Sequence, residues 1–234
     1  MTMKVFAVFT SLGIVLSFLI VRLTMAHQST PRNEGKEVIR LPEPRSDSKV
    51  SVETALRKRR SVREYLNEPL TLGEVSQLLW AAQGITSTEG LRTAPSAGAL
   101  YPLEVYLVVG RVQNLSKGTY KYRPQRHELV RVAEGDNRSH LASAALDQSC
   151  IRDGAVVVVF AAVHERTTKK YGQRGMRYVH MEVGHAAQNV YLQAVSLNLG
   201  TVVVGAFDDN DVRKTMGMPK EEQPLCLMPV GRIK

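Results

Sequence analysis

The sequence predicts an α+β fold in which helices pack on a mixed sheet. Three observations carry that expectation. Helix-periodic and strand-like stretches come in blocks: helices, then strands, then one long apolar helix, then strands again. Regular strand–helix alternation is missing and there is no GxGxxG, which argues against a doubly wound nucleotide-binding sheet. The 234 residues, 44% hydrophobic and 23% charged, suffice for one full core and one domain.

The first 26 residues stand apart from that domain. Residues 5–21, VFAVFTSLGIVLSFLIV, form an uncharged, mostly apolar run after Lys4. Its length falls between a signal-peptide core and a short membrane helix. TMA at 24–26 has the small-x-small form of a cleavage site, but Arg22 lies between it and the run. Arg22, Arg32, Lys36, Arg40 and Arg45 outnumber Lys4, a bias that would keep the domain cytoplasmic behind an anchor. No twin-arginine pair marks export in the folded state. The segment therefore reads as membrane-targeting, either a signal peptide of an exported (periplasmic) protein or an anchor of open orientation. Residues 27–48, with Pro31, Pro42, Pro44, Gly35 and many charges, read as a linker. The domain then occupies 49–234.

Within it, Ser51 caps a short helix to about residue 57, with Val52, Ala55 and Leu56 on its apolar face. Thr71-Leu72-Gly73-Glu74 has capping-box spacing, with Leu70 and Val75 placed for a hydrophobic staple. Leu72, Val75, Leu78, Leu79 and Ala82 continue that helix at 3.6-residue spacing to a stop at Gly84. Residues 104–112 read as a strand, and 119–122 with 128–132 as a hairpin. AVVVVFAAV at 155–163 is continuously apolar, as a strand buried on both faces must be. Residues 178–199 form a long, broadly apolar helix closed by Gly200. Residues 201–207 are a second buried strand, Asp208 or Asp209 caps a helix over 211–216, and 225–230 is the last strand.

Net charge is +9, which favours anionic partners, but the basic residues are scattered and only 6% of residues are aromatic. That pattern argues against a nucleic-acid interface. Cys150 and Cys226 form no CxxC pair; they read as small core residues, with a disulfide open only to an exported domain. His180 and His185 are five apart on a helix and do not converge on a metal. With Glu182 they would face a partner or a cofactor edge, and the polar stripe Gln188, Asn189 and Gln193 would do the same or only satisfy buried backbone.

Two stretches could carry chemistry. RRSVR at 59–63, if extended, sends Arg59, Ser61 and Arg63 to one side and Arg60 and Val62 to the other. Guanidinium forks beside a hydroxyl suit phosphate oxygens, and a solvated charge cluster would look the same. APSAGALYP at 94–102 lets backbone amides approach a flat ligand, or is an ordinary Pro/Gly loop.

Taken in order, RRSVREY, APSAGALYPLEVYLVVG, YGQRGMRYVHMEVGHAAQNVYLQAVSLNLGTVVVGAF and MPVG resemble the nitroreductase superfamily. They are most similar to its SagB-type branch of thiazole- and oxazole-forming FMN dehydrogenases. The resemblance covers nearly all of 51–234 and implies a homodimer built on a mixed, mainly antiparallel sheet, with FMN at the dimer interface. It implies an FMN-dependent oxidoreductase that passes electrons from NADH, NADPH or an organic donor to a small-molecule or modified-peptide substrate. Arg59 and Ser61 would then serve the phosphate or ribityl chain and Arg63 the pyrimidine edge, with Arg60 also in the cofactor site. Ser96, Ala97 and Gly98 would line the ring, Val204 and Gly205 would approach it, and Arg232 could complete the phosphate site. In azoline-oxidising members a Lys-Tyr pair does acid–base work. Lys170 and Tyr171 stand in that place, after Lys169 where the branch has leucine; the other reading of RTTKKYGQR is an exposed basic turn. The alternatives are azoline oxidation through Lys170 and Tyr171, or a fold that binds flavin without catalysis.

Overall fold

The computed structural model describes residues 37–234. The apolar run at 5–21 and the TMA stretch read as a cleavage signal lie outside them. Among the described residues no helix is long and apolar enough to cross a membrane.

The elements in chain order are β1 (Val38–Arg40), α1 (Val52–Lys58), β2 (Tyr65–Leu66), α2 (Leu72–Gln83), β3 (Leu103–Val109), β4 (Gly118–Arg123) and β5 (Glu128–Glu134). There follow α3 (Arg138–Ala144), α4 (Ser149–Asp153), β6 (Val156–Ala162), α5 (Glu165–Tyr171), α6 (Arg174–Ser196), β7 (Leu199–Thr201), α7 (Asp209–Met216) and β8 (Gln223–Ile233). The eight-stranded sheet has the order β1-β5-β4-β3-β6-β8-β2, with β7 paired to β8. Its ladders are antiparallel, and the parallel contacts are the isolated bridges Ser61–Thr201 and Leu70–Val112.

The two-residue period of a strand sorts β6 between two cores. Val156, Val158 and Phe160 pack under α2 and α6, while Val157, Val159 and Ala161 meet α3, α4 and α7. Helices on both faces explain why this strand carries no polar residue. Cys226 lies in the first core and Cys150 in the second; both are free thiols, and burial pushes that of Cys226 up to about 12.

α2 begins with the expected reciprocal cap: Glu74 N donates to Thr71 Oγ1 at 3.2 Å and Thr71 N to Glu74 Oε2 at 2.8 Å. Several boundaries differ from expectation. α6 starts at Arg174 and ends at Ser196, because Asn198 takes the left-handed conformation (φ 56°) that turns the chain. Gly200 is therefore inside β7, where a Cβ would strike Val62, rather than a helix stop. The expected strand over 201–207 is reduced to the end of β7 and a bridge from Val204 to Leu227. Within 27–48, read as a linker, Val38–Arg40 joins the sheet edge against β5 and Leu41 is buried. Three residues of strand leave little pattern between prolines; pairing with β5 makes them.

Arg138 is 7% exposed and its guanidinium occupies the space above Gly110 that a Cβ would fill. It donates to Asp136 from Nε at 2.8 Å and Nη2 at 2.6 Å, which holds the Asp136 carboxyl at about 2. A carboxyl depressed on folding stabilises above its unfolded value and loses that contribution as pH falls. Discounted for solvent access, the effect is about 1–2 kcal/mol, lost between pH ~4 and ~2. Asp136→Asn should be less stable than the parent at pH 6 and converge on it near pH 2, as read by urea midpoints.

Candidate active site

α6 is the element on which the sequence-predicted residues meet. At one side of it Ser61 Oγ lies 3.1 Å from the Tyr191 hydroxyl, and the Arg59 guanidinium stands over the Tyr191 ring, 5.0 Å from its centroid. The same hydroxyl accepts from Val203 N at 2.9 Å. The chain reaches this place because Val62 N donates to Thr201 O and the Val62 side chain packs against Gly200, which orients Ser61 toward the helix. Arg59 and Ser61 thus share one locus, although residues 59–63 form no strand beyond the single bridge from Ser61 to Thr201.

The other members of that stretch do not all follow. Arg60 donates to Arg57 O and Arg59 O and is bound to its own backbone. Arg63 is exposed, and its charge acts on Tyr65 and Cys150. Arg232 donates to Glu74 from Nη1 at 2.6 Å and Nη2 at 3.0 Å. Its fork therefore ties β8 to the cap of α2. Val204 has its amide and carbonyl paired with Leu227 and its side chain in the core. Gly205 is exposed, with open space where a Cβ would stand.

At the opposite side of α6 lies the 94–102 loop. Gly98 takes a left-handed conformation (φ 64°), followed by Ala99 (φ 53°) and Tyr101 (φ 46°), which turns the backbone outward. Ala97 N donates to Glu182 Oε1 at 2.9 Å, and Tyr101 N to Ser96 Oγ at 2.9 Å. Glu182 is 4% exposed; burial raises its carboxyl above the usual glutamate value, against the Ala97 amide and the Ser96 hydroxyl. Asn189 Nδ2 donates to Thr93 O and holds the start of the loop.

Lys170 and Tyr171 end α5, a helix rather than a turn, and both reach this loop. A Cβ placed on Gly98 would fall 2.8 Å from the Tyr171 hydroxyl and 3.0 Å from Lys170 Nζ. Tyr171 is held edge-on by Tyr178, with ring centroids 5.1 Å apart. His180 meets His164 edge-on, and His185 acts on Glu182, so the two histidines serve different neighbours.

Glu182 and Tyr191 are nine positions apart, two and a half turns, and so face opposite sides of α6. Between them runs an exposed stripe of Met181, Gly184, His185 and Gln188, spaced i, i+3, i+4, i+7. Tyr191 and the backbone of Val203 were not legible in advance. Tyr191 falls among the apolar positions of α6, and only the fold brings Ser61 to it.

Residues 56–232 match the family model described as Nitroreductase family. MJ1384 of Methanocaldococcus jannaschii, named as a nitroreductase, is 55% identical over 183 residues, covering 78% of this chain and 91% of that protein. The microcin B17-processing protein McbC of Escherichia coli is 33% identical over 148 residues, covering 61% of this chain, which spans 54% of McbC. Among solved structures, one from Ralstonia eutropha, titled as a nitroreductase, superposes with TM-score 0.74 at 30% identity over 84% of this chain and 90% of the other. A chain of the E. coli microcin synthetase McbBCD complex, solved with truncated pro-MccB17 bound, superposes with TM-score 0.66 at 25% identity, covering 95% of this chain and 93% of its own. With the antiparallel sheet, the long central helix and the two half-sites in place, the chain belongs to the nitroreductase family.

Proposed function

We propose that this nitroreductase-family oxidoreductase uses FMN, takes electrons from a reduced nicotinamide or organic donor, and works as a homodimer. The observation that supports the reading is the placement of two unlike half-sites on α6. One offers a cation and a hydroxyl (Arg59, Ser61, Tyr191); the other offers a backbone turn, left-handed at Gly98, Ala99 and Tyr101, backed by Lys170 and Tyr171. The first suits a phosphate and the second a flat ring. Because they face opposite sides of one helix, a single protomer does not bring them to one ligand. A second copy packed on the exposed stripe between them would supply the complement.

When bound, FMN supplies the hydride chemistry. The chain's own residues do the rest. Arg59 and Ser61 would hold the phosphate, and Glu182 fixes the Ala97 amide so that the turn keeps its shape. Gly98 lets Lys170 Nζ and the Tyr171 hydroxyl approach the space above the loop. The membrane-targeted segment at 5–21 would place this domain at or across a membrane, a reading that rests on its apolar sequence alone.

The test is the visible spectrum of the purified chain with FMN, after gel filtration. Retained flavin that NADH or NADPH bleaches is the expected result; retained flavin that no donor bleaches would favour a binding module. A chain that does not retain FMN sinks the proposal. Arg59→Ala removes one charge-assisted contact and should weaken FMN about 10–30-fold. A second reading, oxidation of azoline rings in a peptide, is favoured by the approach of Lys170 and Tyr171 to Gly98. Lys170→Ala would then lose peptide oxidation while keeping flavin bleaching by nicotinamide.

A further inference from the structure

Away from both half-sites, two neighbouring strands part. β3 begins at Leu103 and β4 continues to Arg123, yet their ladder covers only Tyr106–Lys121 through Val109–Gly118. A cavity of about 420 Å³ fills the fork, lined among others by Arg92, Glu104, Lys121, Arg123 and Arg166. Four cations and one acid line it, but Arg123 is paired with Glu128 at 3.6 Å.

Its cations are not equally satisfied. Lys121 Nζ lies 3.0 Å from Glu104 Oε2, and Arg166 Nη2 2.5 Å from Glu104 Oε1, so one carboxylate serves both. Lys121 also bonds the buried Glu222. Arg92 has no comparable partner. Its Nη1 donates to the neutral Gln83 Oε1 at 2.8 Å, and its plane lies 4.3 Å from the Tyr101 ring centroid. Its Nε is buried with no hydrogen-bond acceptor, and no carboxylate among the described residues is within ion-pair distance of it. A half-buried guanidinium with an orphan donor carries an uncompensated desolvation cost. An anion entering the fork would relieve that cost, and the volume suits a small ligand.

We propose that the cavity between β3 and β4 binds a small anion, held against Arg92 with Arg166 and Lys121 alongside. Arg166 Nη1 also donates to Tyr101 O at 3.1 Å, so both arginines hold Tyr101 near the end of the 94–102 loop.

Calorimetric titration of the full chain, with FMN in excess and ionic strength held constant, tests this with two probes, inorganic pyrophosphate and citrate. One saturable site per chain is expected. It should be at least tenfold weaker in Arg92→Gln and weaker in Arg166→Gln, but unchanged in Arg59→Ala. Tighter pyrophosphate assigns a phosphate ligand, and tighter citrate a carboxylate one. The proposal is overturned if neither probe saturates, or if Arg59→Ala abolishes binding while Arg92→Gln keeps it. Thermal midpoints monitor folding of each variant; if Arg92→Gln does not fold, unchanged affinity in Arg166→Gln overturns the proposal alone.

Discussion

Glu74→Ala is expected to lower the unfolding free energy by about 2–4 kcal/mol, read as a shift of the urea midpoint at constant slope. One carboxylate has several partners here. Oε2 accepts from Thr71 N at 2.8 Å and Thr71 Oγ1 at 3.0 Å, closing the cap of α2, while Oε1 and Oε2 take the Arg232 fork at 2.6 and 3.0 Å. The pair is mostly shielded, with Glu74 16% and Arg232 25% exposed. Removing Glu74 opens the cap and leaves a partly buried cation alone. Arg232→Ala should cost less, because Glu74 keeps its cap. It should also leave FMN retention unchanged, since Arg232 is committed to α2; a loss of flavin in Arg232→Ala would restore its sequence-predicted place at the phosphate.

Glu182→Ala is expected to lose about 2–3 kcal/mol and to release FMN more readily than Arg59→Ala does. It strips the Ala97 amide of its acceptor beneath the turn that carries Gly98. Glu182→Gln should behave oppositely. An amide oxygen can still accept from Ala97, and the burial cost of a charge is gone. The sign follows from the raised carboxyl: an acid whose folded value lies above its unfolded one stabilises at low pH and loses that contribution as pH rises through the folded value. Glu182→Gln should therefore equal the parent near pH 4 and be the more stable of the two at pH 8. Equal loss of stability and flavin in both variants would show that the charge itself is needed.

The legible parts of the fold were those with long, strong periodicity. The capping box, the two-faced strand at 156–162, the hairpin and the long helix all follow from local pattern. α3, α4 and α5 have seven, five and seven residues and, unlike the similarly short α1 and α7, no side-chain N-cap to announce them. The site divides in the same way. Arg59 and Ser61 reach one locus through the single bridge from Ser61 to Thr201, and Gly98 is left-handed because glycine permits it. Tyr191 joins them only through a contact 130 positions away in sequence, and Arg232 leaves them because Glu74 holds it. Such choices are made by partners, and a single sequence does not display partners.

The order of strands also bears on how the chain is made. The stretch VVVVFAA in β6 has the composition of a segment that stacks with copies of itself: β-branched, uncharged, without proline. In the finished sheet it is sandwiched between β3 and β8, while the two rims are strands of three and two residues, poor templates for a neighbour. β3 is already synthesised when β6 emerges, but β8 begins at Gln223, 223 − 162 = 61 positions after β6 ends. At ribosomal speeds that interval is roughly 3–12 s. Throughout it the most aggregation-prone strand of the nascent chain has one naked edge, and the yield of folded protein depends on what shields that edge until its last neighbour arrives.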